Sequence, residues 1–153
     1  MTPAGYAKLE AELKHLKEVI RPEVVRQIEE ARAHGDLSEN AEYDAAKDRQ
    51  GMTEARLRHG ETQLATAEVI DVTTLDESDL VVFGSTVELL DTESDEELTY
   101  RLVGKEEADV KNGDISFDSP IGRAILGKRE GDEVKVQAPR GTRKLEILEV
   151  RYT

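Results

Sequence analysis

The feature that most constrains this chain is a change in the spacing of its apolar residues. From Leu9 to Ala31 the apolar positions recur every three or four residues, which is the period of an α-helix with one narrow apolar stripe. Beyond about residue 80 the apolar positions alternate with polar ones, which is the period of a half-buried strand. The sequence therefore predicts two domains, a helical one over 1–75 and a β domain over 76–153.

The helical half predicts a long antiparallel coiled-coil hairpin. Helical spacing resumes after Gly35, and only about four residues connect the two stretches, so the second helix must fold back on the first. Helices of about 30 residues make a rod of about 45 Å that buries a single seam. Pro22 is expected to bend the first helix. Gly51 and Gly60 are expected to weaken the second helix, and Gly60 to loosen the coil near its base.

The second half predicts a small antiparallel sheet with one short helix, so the fold class is α+β. The helix is expected over Ile121–Leu126, because Pro120 stands at its start and Gly127 just after its end. Six short strands are expected between turn signals, at Val81–Phe83, Thr86–Leu90, Leu98–Val103, Ile115–Phe117, Val134–Gln137 and Leu145–Tyr152.

Composition excludes several classes of protein. The chain has no cysteine and only three histidines, so disulfide scaffolds, thiolate metal sites and histidine-rich metal sites are excluded. Its net charge of −13 makes it a poor autonomous binder of duplex nucleic acid. No apolar run is long enough for a membrane helix and no signal peptide opens the chain, so we expect a cytoplasmic protein with no membrane partner.

The polar residues that suggest chemistry are concentrated at the predicted hairpin tip, residues 34–43. Asp36 and Glu39 stand three residues apart where the second helix is expected to begin. In one interpretation Asp36 is the N-cap of that helix and Glu39 completes a capping box. In the other, the two carboxylates offer oxygen ligands to Mg²⁺, with a second macromolecule completing the coordination shell. Spacing alone favours the cap, and the two roles are compatible.

The tip sequence HGDLSENAEYDAAK at 34–47 resembles that of the bacterial Gre transcript-cleavage factors. The resemblance continues through RPEV at 21–24, VFGSTVEL at 82–89 and SPIGRAILGKREGDEV at 119–134, and it is closest to the GreA branch. Ser38 departs from the family, which often has lysine there. These motifs occur in order and at matching intervals over nearly the whole chain, so the match is specific.

The resemblance implies a fold and an activity. Gre factors carry a coiled-coil hairpin followed by a domain that resembles FKBP-type prolyl isomerases. Their globular domain docks at the secondary channel of bacterial RNA polymerase, and the hairpin passes down that channel. There the tip acids, matched here by Asp36 and Glu39, help to hold a second catalytic Mg²⁺, and the polymerase cleaves the 3′ end of backtracked RNA. The implied role is that of an accessory factor rather than an enzyme, monomeric when free, with no cofactor of its own.

Other residues carry weaker hypotheses. Tyr43 either stacks on an RNA base or packs against the first helix. Arg32, Lys47 and Arg49 either face RNA, as the family's basic patch implies, or belong to a solvated, charge-laced helix surface. The segment Asp118, Ser119, Pro120 is predicted to cap the short helix, and the resemblance implies that it also takes part in polymerase docking.

Two rival functions remain at this stage. The first is a regulator that binds the same channel without promoting cleavage. The second is a prolyl isomerase or chaperone-like module, for which the β domain offers few aromatic residues to line a proline pocket. The intact acids at positions 36 and 39 favour the cleavage factor.

Overall fold

A computed structural model describes residues 1–35, 40–139 and 141–153 of the chain. Contacts divide it into two compact units, Ala4–Ala67 and a second unit made of Met1–Pro3 with Glu68–Thr153. The predicted boundary between 75 and 76 falls within the second unit, just after a short 3-10 turn at Val72–Thr74. The α+β class is confirmed, with a helical hairpin preceding a five-stranded, mainly antiparallel sheet.

The first arm of the hairpin is not a continuous α-helix. It comprises α1 (Pro3–His15), a π-helical turn (Leu16–Ile20) and α2 (Arg21–Ala33). Pro22 lies in the first turn of α2, immediately after the π turn. Since proline has no N–H and its ring collides with the carbonyl four residues earlier, the wider π turn supplies the space that a regular helix lacks. Pro22 is thus preceded by a wider turn with one extra residue, and the bend expected at Pro22 stays a prediction.

The second arm is a single helix, α3 (Ala41–Thr66), whose 26 residues extend about 39 Å. Ion pairs between the arms fix their antiparallel register. The Arg56 guanidinium donates two hydrogen bonds to the Glu12 carboxylate at 2.7 and 2.8 Å, and that contact holds the pKa of Glu12 below its ordinary value. Arg21 binds Glu54 in the same two-pronged way at 2.8 and 2.9 Å.

Gly60 tightens the hairpin, which corrects the expectation that it loosens the coil. The residue is buried, and Leu13 of α1 packs directly on its backbone. A Cβ atom placed at Gly60 would overlap Leu13 Cδ2 and lie 3.1 Å from Leu13 Cδ1. Gly51 differs, because a Cβ there would meet no heavy atom within 4 Å. Only the exposed glycine therefore has the purely weakening effect predicted for both.

This contrast predicts opposite effects for the same substitution. Gly51→Ala is expected to raise the free energy of unfolding of the hairpin by about 0.5–1 kcal/mol, because alanine favours helix and gains no bad contact. Gly60→Ala is expected to lower it by about 1 kcal/mol, because displacing the buried Leu13 side chain outweighs the gain in helix propensity. Urea unfolding followed by helical circular dichroism measures both. Equal stabilisation by the two variants would contradict the packing role of Gly60.

The second unit is built on a sheet of order β3-β2-β1-β5-β4. Its strands are β1 (Thr86–Asp91), β2 (Glu97–Val103), β3 (Asp114–Ser116), β4 (Glu133–Ala138) and β5 (Gly141–Arg151). All neighbours pair antiparallel except β2 and β3, which run parallel with Leu102 opposite Ile115. Five of the six predicted strands are present with small shifts in their bounds.

The predicted strand at Val81–Phe83 is wrong. The chain there makes a single antiparallel bridge between Leu80 and Arg129 and then turns. Val81 is nevertheless buried, with its N–H donating to Lys128 O at 2.8 Å and its carbonyl accepting from Gly127 N at 2.9 Å. The apolar residue at position 81 therefore reflects burial in the core and not pairing in a β-sheet.

The short helix α4 (Pro120–Ile125) closes the core of the sheet. Ile125 is fully buried among alternate residues of the strands, including Val87, Leu89, Leu102, Val134, Val136, Leu145 and Ile147. In the part of the chain that the structure describes, no helix has the length and apolar character needed to cross a membrane.

Candidate functional site at the hairpin tip

The first arm ends at the tip with a glycine in the left-handed region. After Ala33, the His34 N–H donates to Ala31 O at 3.2 Å and the Gly35 N–H donates to Arg32 O at 3.1 Å. Gly35 has φ +101°, a conformation that other residues rarely adopt, which explains why the helix terminates there.

The second arm begins with Asn40 as its N-cap. Asn40 Oδ1 accepts from the Tyr43 backbone N–H at 3.1 Å, and the Asn40 carbonyl accepts from Asp44 N at 3.1 Å. The prediction that Asp36 caps this helix and that Glu39 occupies its third position is therefore wrong about where the helix starts. Asp36 and Glu39 themselves lie outside the described residues, before the cap in the sequence.

The same asparagine also contacts the end of the first arm. Its Nδ2 donates to Ala31 O at 2.6 Å, across nine positions of sequence. Ala31 is buried, and its carbonyl, which lies near the end of α2, also accepts from the His34 N–H. Asn40 is thus bonded to both helices where they approach the tip.

Tyr43 packs along the seam. It is half-buried and lies against a cluster formed by Val24, Ile28 and Ala46. That contact is one of the two roles predicted from the sequence, and the RNA contact stays a prediction.

The three predicted cations near the tip differ in their surroundings. Arg49 is half-buried, donates to Gln27 Oε1 at 3.0 Å and approaches Glu23 at 3.8 Å. Lys47 is exposed and donates to Gln50 Oε1 at 3.3 Å, and Arg32 is exposed. Arg49 also lines an open groove of about 350 Å³ between α2 and α3, together with Gln27, Glu30, Ala31, His34, Glu42, Ala45 and Ala46. Neither Arg32 nor Lys47 lines that groove.

Within residues 1–35, 40–139 and 141–153, no group of three or more histidine and carboxylate side chains is arranged to hold a metal ion. The magnesium prediction rests on Asp36 and Glu39, which lie outside those ranges. Their chemistry suits the ion, because carboxylates are hard oxygen ligands and Mg²⁺ is commonly held by one or two of them. Two carboxylates leave most of an octahedral shell to other donors.

The predicted cap of the short helix is present in the second unit. Ser119 Oγ accepts from the Gly122 N–H at 3.1 Å and donates to Ser116 O at 2.6 Å, with the exposed Pro120 following at the first helical position. Asp118 accepts a hydrogen bond from the Ser116 hydroxyl. That bond, with the nearby charges of Lys105 and Arg123, holds the pKa of Asp118 below its ordinary value. Asp118 is therefore a fixed negative charge at neutral pH.

Sequence reasoning missed an aromatic pair beside this loop. Phe117 is 40% exposed and meets Phe83 edge to face, with ring centroids 5.9 Å apart and planes at 72°. The sequence analysis places both phenylalanines in predicted strands and counts them among the few aromatic residues of the β domain, without pairing them. No local signal places them together, because 34 positions separate them along the chain. They meet because both segments reach the end of β2, where Gly84 N donates to Leu102 O and Phe117 N donates to Val103 O.

Comparisons with known proteins agree with the motifs. A family model described as "Transcription elongation factor, N-terminal" matches residues 1–69, and one described as "Transcription elongation factor, GreA/GreB, C-term" matches residues 76–152. The transcription elongation factor GreA of Methylococcus capsulatus is 55% identical over 152 residues, covering 99% of this chain and 96% of the relative. GreA of Pseudomonas aeruginosa is 53% identical with the same coverage.

Two solved structures are also similar to this chain in sequence. A GreA/GreB elongation factor from Nitrosomonas europaea is 35% identical, with 60% of this chain and 76% of that chain covered and a TM-score of 0.45. The GreA factor homolog Gfh1 of Thermus thermophilus is 30% identical, with 99% and 97% covered and a TM-score of 0.44. The two family models together span nearly the whole sequence, and the full-length relatives share more than half of its residues. The chain therefore belongs to the GreA/GreB family of transcription elongation factors.

Proposed function

We propose that this chain is an accessory factor that inserts its hairpin into the secondary channel of bacterial RNA polymerase and stimulates hydrolysis of the 3′ end of backtracked RNA. The observation that carries the proposal is the position of the N-cap. Since Asn40 caps α3, the helix start does not require Asp36 or Glu39. The two carboxylates are then available for another role at the end of an arm about 39 Å long.

Asp36 and Glu39 would hold Mg²⁺ jointly with polymerase ligands. The ion, when bound, lowers the pKa of a water molecule and neutralises charge that develops on the phosphate. The carboxylates of this chain orient that water through their oxygens, and either of them has the chemistry to accept its proton. Carboxylates are hard oxygen ligands, so the two side chains would suit a divalent ion and would repel RNA phosphates without it.

Cations beside the tip would meet the RNA. Arg32 and Lys47 are exposed and lie close in sequence to the two ends of the tip, so we assign them to phosphate contacts. Arg49 contributes less, because Gln27 and Glu23 already occupy its guanidinium. Tyr43 supports the tip from the seam, where it packs against Val24 and Ile28.

Docking on the polymerase is assigned to the second unit. Asp118 presents an ionised carboxylate, and Pro120 is exposed beside it at the start of α4. The exposed edge of Phe117 adjoins the same loop and adds apolar area. A charged group beside an exposed aromatic ring is the composition expected of an interface anchor with a polar rim.

The proposal predicts that cleavage requires the polymerase. With purified protein, Mg²⁺ and labelled free RNA, we expect no cleavage above background, because two carboxylates cannot complete a magnesium site alone. With a backtracked elongation complex, the same protein is expected to shorten the RNA from its 3′ end and to restore elongation. Gel analysis of the labelled transcripts measures both reactions.

Two results would contradict this proposal in different ways. Cleavage of free RNA at the rate seen with polymerase would show a self-sufficient nuclease. Binding to the polymerase without any gain in cleavage would indicate a regulator that occupies the channel.

A further inference from the structure

We propose that Asn40 is a positioning residue for the tip, acting as a clasp that joins the two arms of the hairpin. The inference rests on the proposed function, since it concerns the activity assigned to Asp36 and Glu39. Asn40 itself is described by the structure, and so are the atoms that it bonds.

The argument begins with the two ends of the Asn40 amide. Its oxygen accepts from Tyr43 N at 3.1 Å in α3, and its nitrogen donates to Ala31 O at 2.6 Å in α2. Exchanging the oxygen and nitrogen would set N–H against N–H and carbonyl against carbonyl, so only this orientation satisfies both partners. One side chain therefore bonds the start of one helix to the end of the other.

A cap alone does not require this residue. Serine and aspartate cap helices about as well as asparagine, but aspartate has no donor and serine has only a hydroxyl one bond closer to the backbone, so neither reproduces the amide N–H to Ala31 O. The Ala31 carbonyl already accepts from the His34 N–H at 3.2 Å, so the shorter bond from Asn40 Nδ2 is an additional bond that joins the two arms. The Asn40 amide thus makes one hydrogen bond more than a helix N-cap requires, which points to a second role.

The position of the clasp indicates what that role is. It ties residues 31 and 40 together, and the tip acids lie in the short stretch of sequence between them. Holding both ends of a short segment reduces the conformations open to it and so lowers the entropy lost when its side chains engage a ligand. We infer that the clasp fixes the separation of the two arms at residues 31 and 40, between which Asp36 and Glu39 stand in the sequence.

Three substitutions separate the clasp from the cap. Asn40→Asp keeps an oxygen that can cap α3 and loses the donor to Ala31 O, Asn40→Ser keeps the cap with only a shorter hydroxyl donor, and Asn40→Ala loses both. In the backtracked-complex assay, the serine and aspartate variants are expected to reduce the maximal cleavage rate about tenfold at saturating factor. The factor concentration that gives half the effect should change less than twofold, because the docking loop is untouched.

The magnesium dependence supplies a readout that a purely structural role would not move. For Asn40→Ser the Mg²⁺ concentration for half-maximal cleavage is expected to rise several-fold. Amide hydrogen exchange in the free protein should accelerate over residues 31–35 and 40–43 and stay unchanged in β1 and β5. Melting above the assay temperature confirms that each variant is folded.

The outcomes separate this inference from the proposed function. If Asn40→Ser and Asn40→Asp both cleave within twofold of the wild type, or if only Asn40→Ala loses activity, the clasp is overturned and Asn40 is only a cap. Asp36→Asn and Glu39→Gln are assayed in parallel. Full activity of both would overturn the proposed function itself, whereas their inactivity beside an active Asn40→Asp would overturn the clasp alone.

Discussion

Asp36→Asn is expected to lower the maximal rate of stimulated cleavage about 100-fold, a loss of about 2.7 kcal/mol in transition-state stabilisation. Glu39→Gln is expected to act in the same direction with a smaller effect. Each change replaces a charged oxygen ligand by a neutral amide that binds Mg²⁺ weakly, at nearly constant shape. Gel assays of backtracked complexes at saturating factor measure the rates, and raised Mg²⁺ should restore part of the activity.

The matched control is Glu42→Gln, which removes the same charge a few residues further on. Glu42 is exposed in the first turn of α3. Removing its charge should lower the free energy of unfolding only slightly, through the loss of a small favourable interaction with the helix dipole. Because Asn40 provides the cap, the two tip variants should melt like the wild type. Full cleavage activity in both tip variants would show that their charge has no part in the reaction.

Gly122→Ala is expected to destabilise the second unit by about 3 kcal/mol, the upper end of the range for overpacking. A Cβ at this buried position in α4 would overlap Ser116 O and lie 2.8 Å from Phe117 O. Both obstacles are backbone, so no rotamer change relieves the contact. For a unit of this size the loss corresponds to about 12–24 °C in melting temperature.

Arg123→Ala provides the comparison within the same helix. Arg123 is exposed, so its removal should change the melting temperature by no more than a few degrees. Hydrogen exchange in β1 and β5 reports on the second unit separately from the hairpin. A Gly122→Ala protein whose β-strand exchange matched that of Arg123→Ala would show that α4 can move away from the 116–117 turn at little cost.

Apolar periodicity was sufficient to predict the class of each half. The stripe from Leu9 to Ala31 predicted the first arm, and alternation predicted five of the strands. It could not predict the π turn before Pro22, because the spacing of the apolar residues is compatible with one extra residue in that turn. Nor could it predict that β3 pairs parallel to β2, since that depends on the route of the connection over 104–113.

At the tip, local sequence signals are not sufficient to predict which residue caps α3. Asp36, Ser38 and Asn40 are all good N-caps and stand within five positions, so spacing alone does not select among them. Asn40 has the advantage that its amide reaches Ala31 O, a contact between residues nine positions apart. The spacing of Asp36 and Glu39 matches a capping box. The bond from Asn40 to Ala31 O, which favours a different N-cap, cannot be recognised from the sequence.

The order of strands in the sheet bears on how the protein emerges during synthesis. β5 is the last strand of the chain, yet it lies inside the sheet between β1 and β4. The hairpin needs only contacts within residues 4–67 and can form early, whereas β1 must wait for residues 141–151 before its second edge is covered. At about 5–20 residues per second, the β1–β2 pair spends several seconds with an open edge. That interval, rather than the finished fold, is when this chain is most exposed to aggregation or chaperone capture.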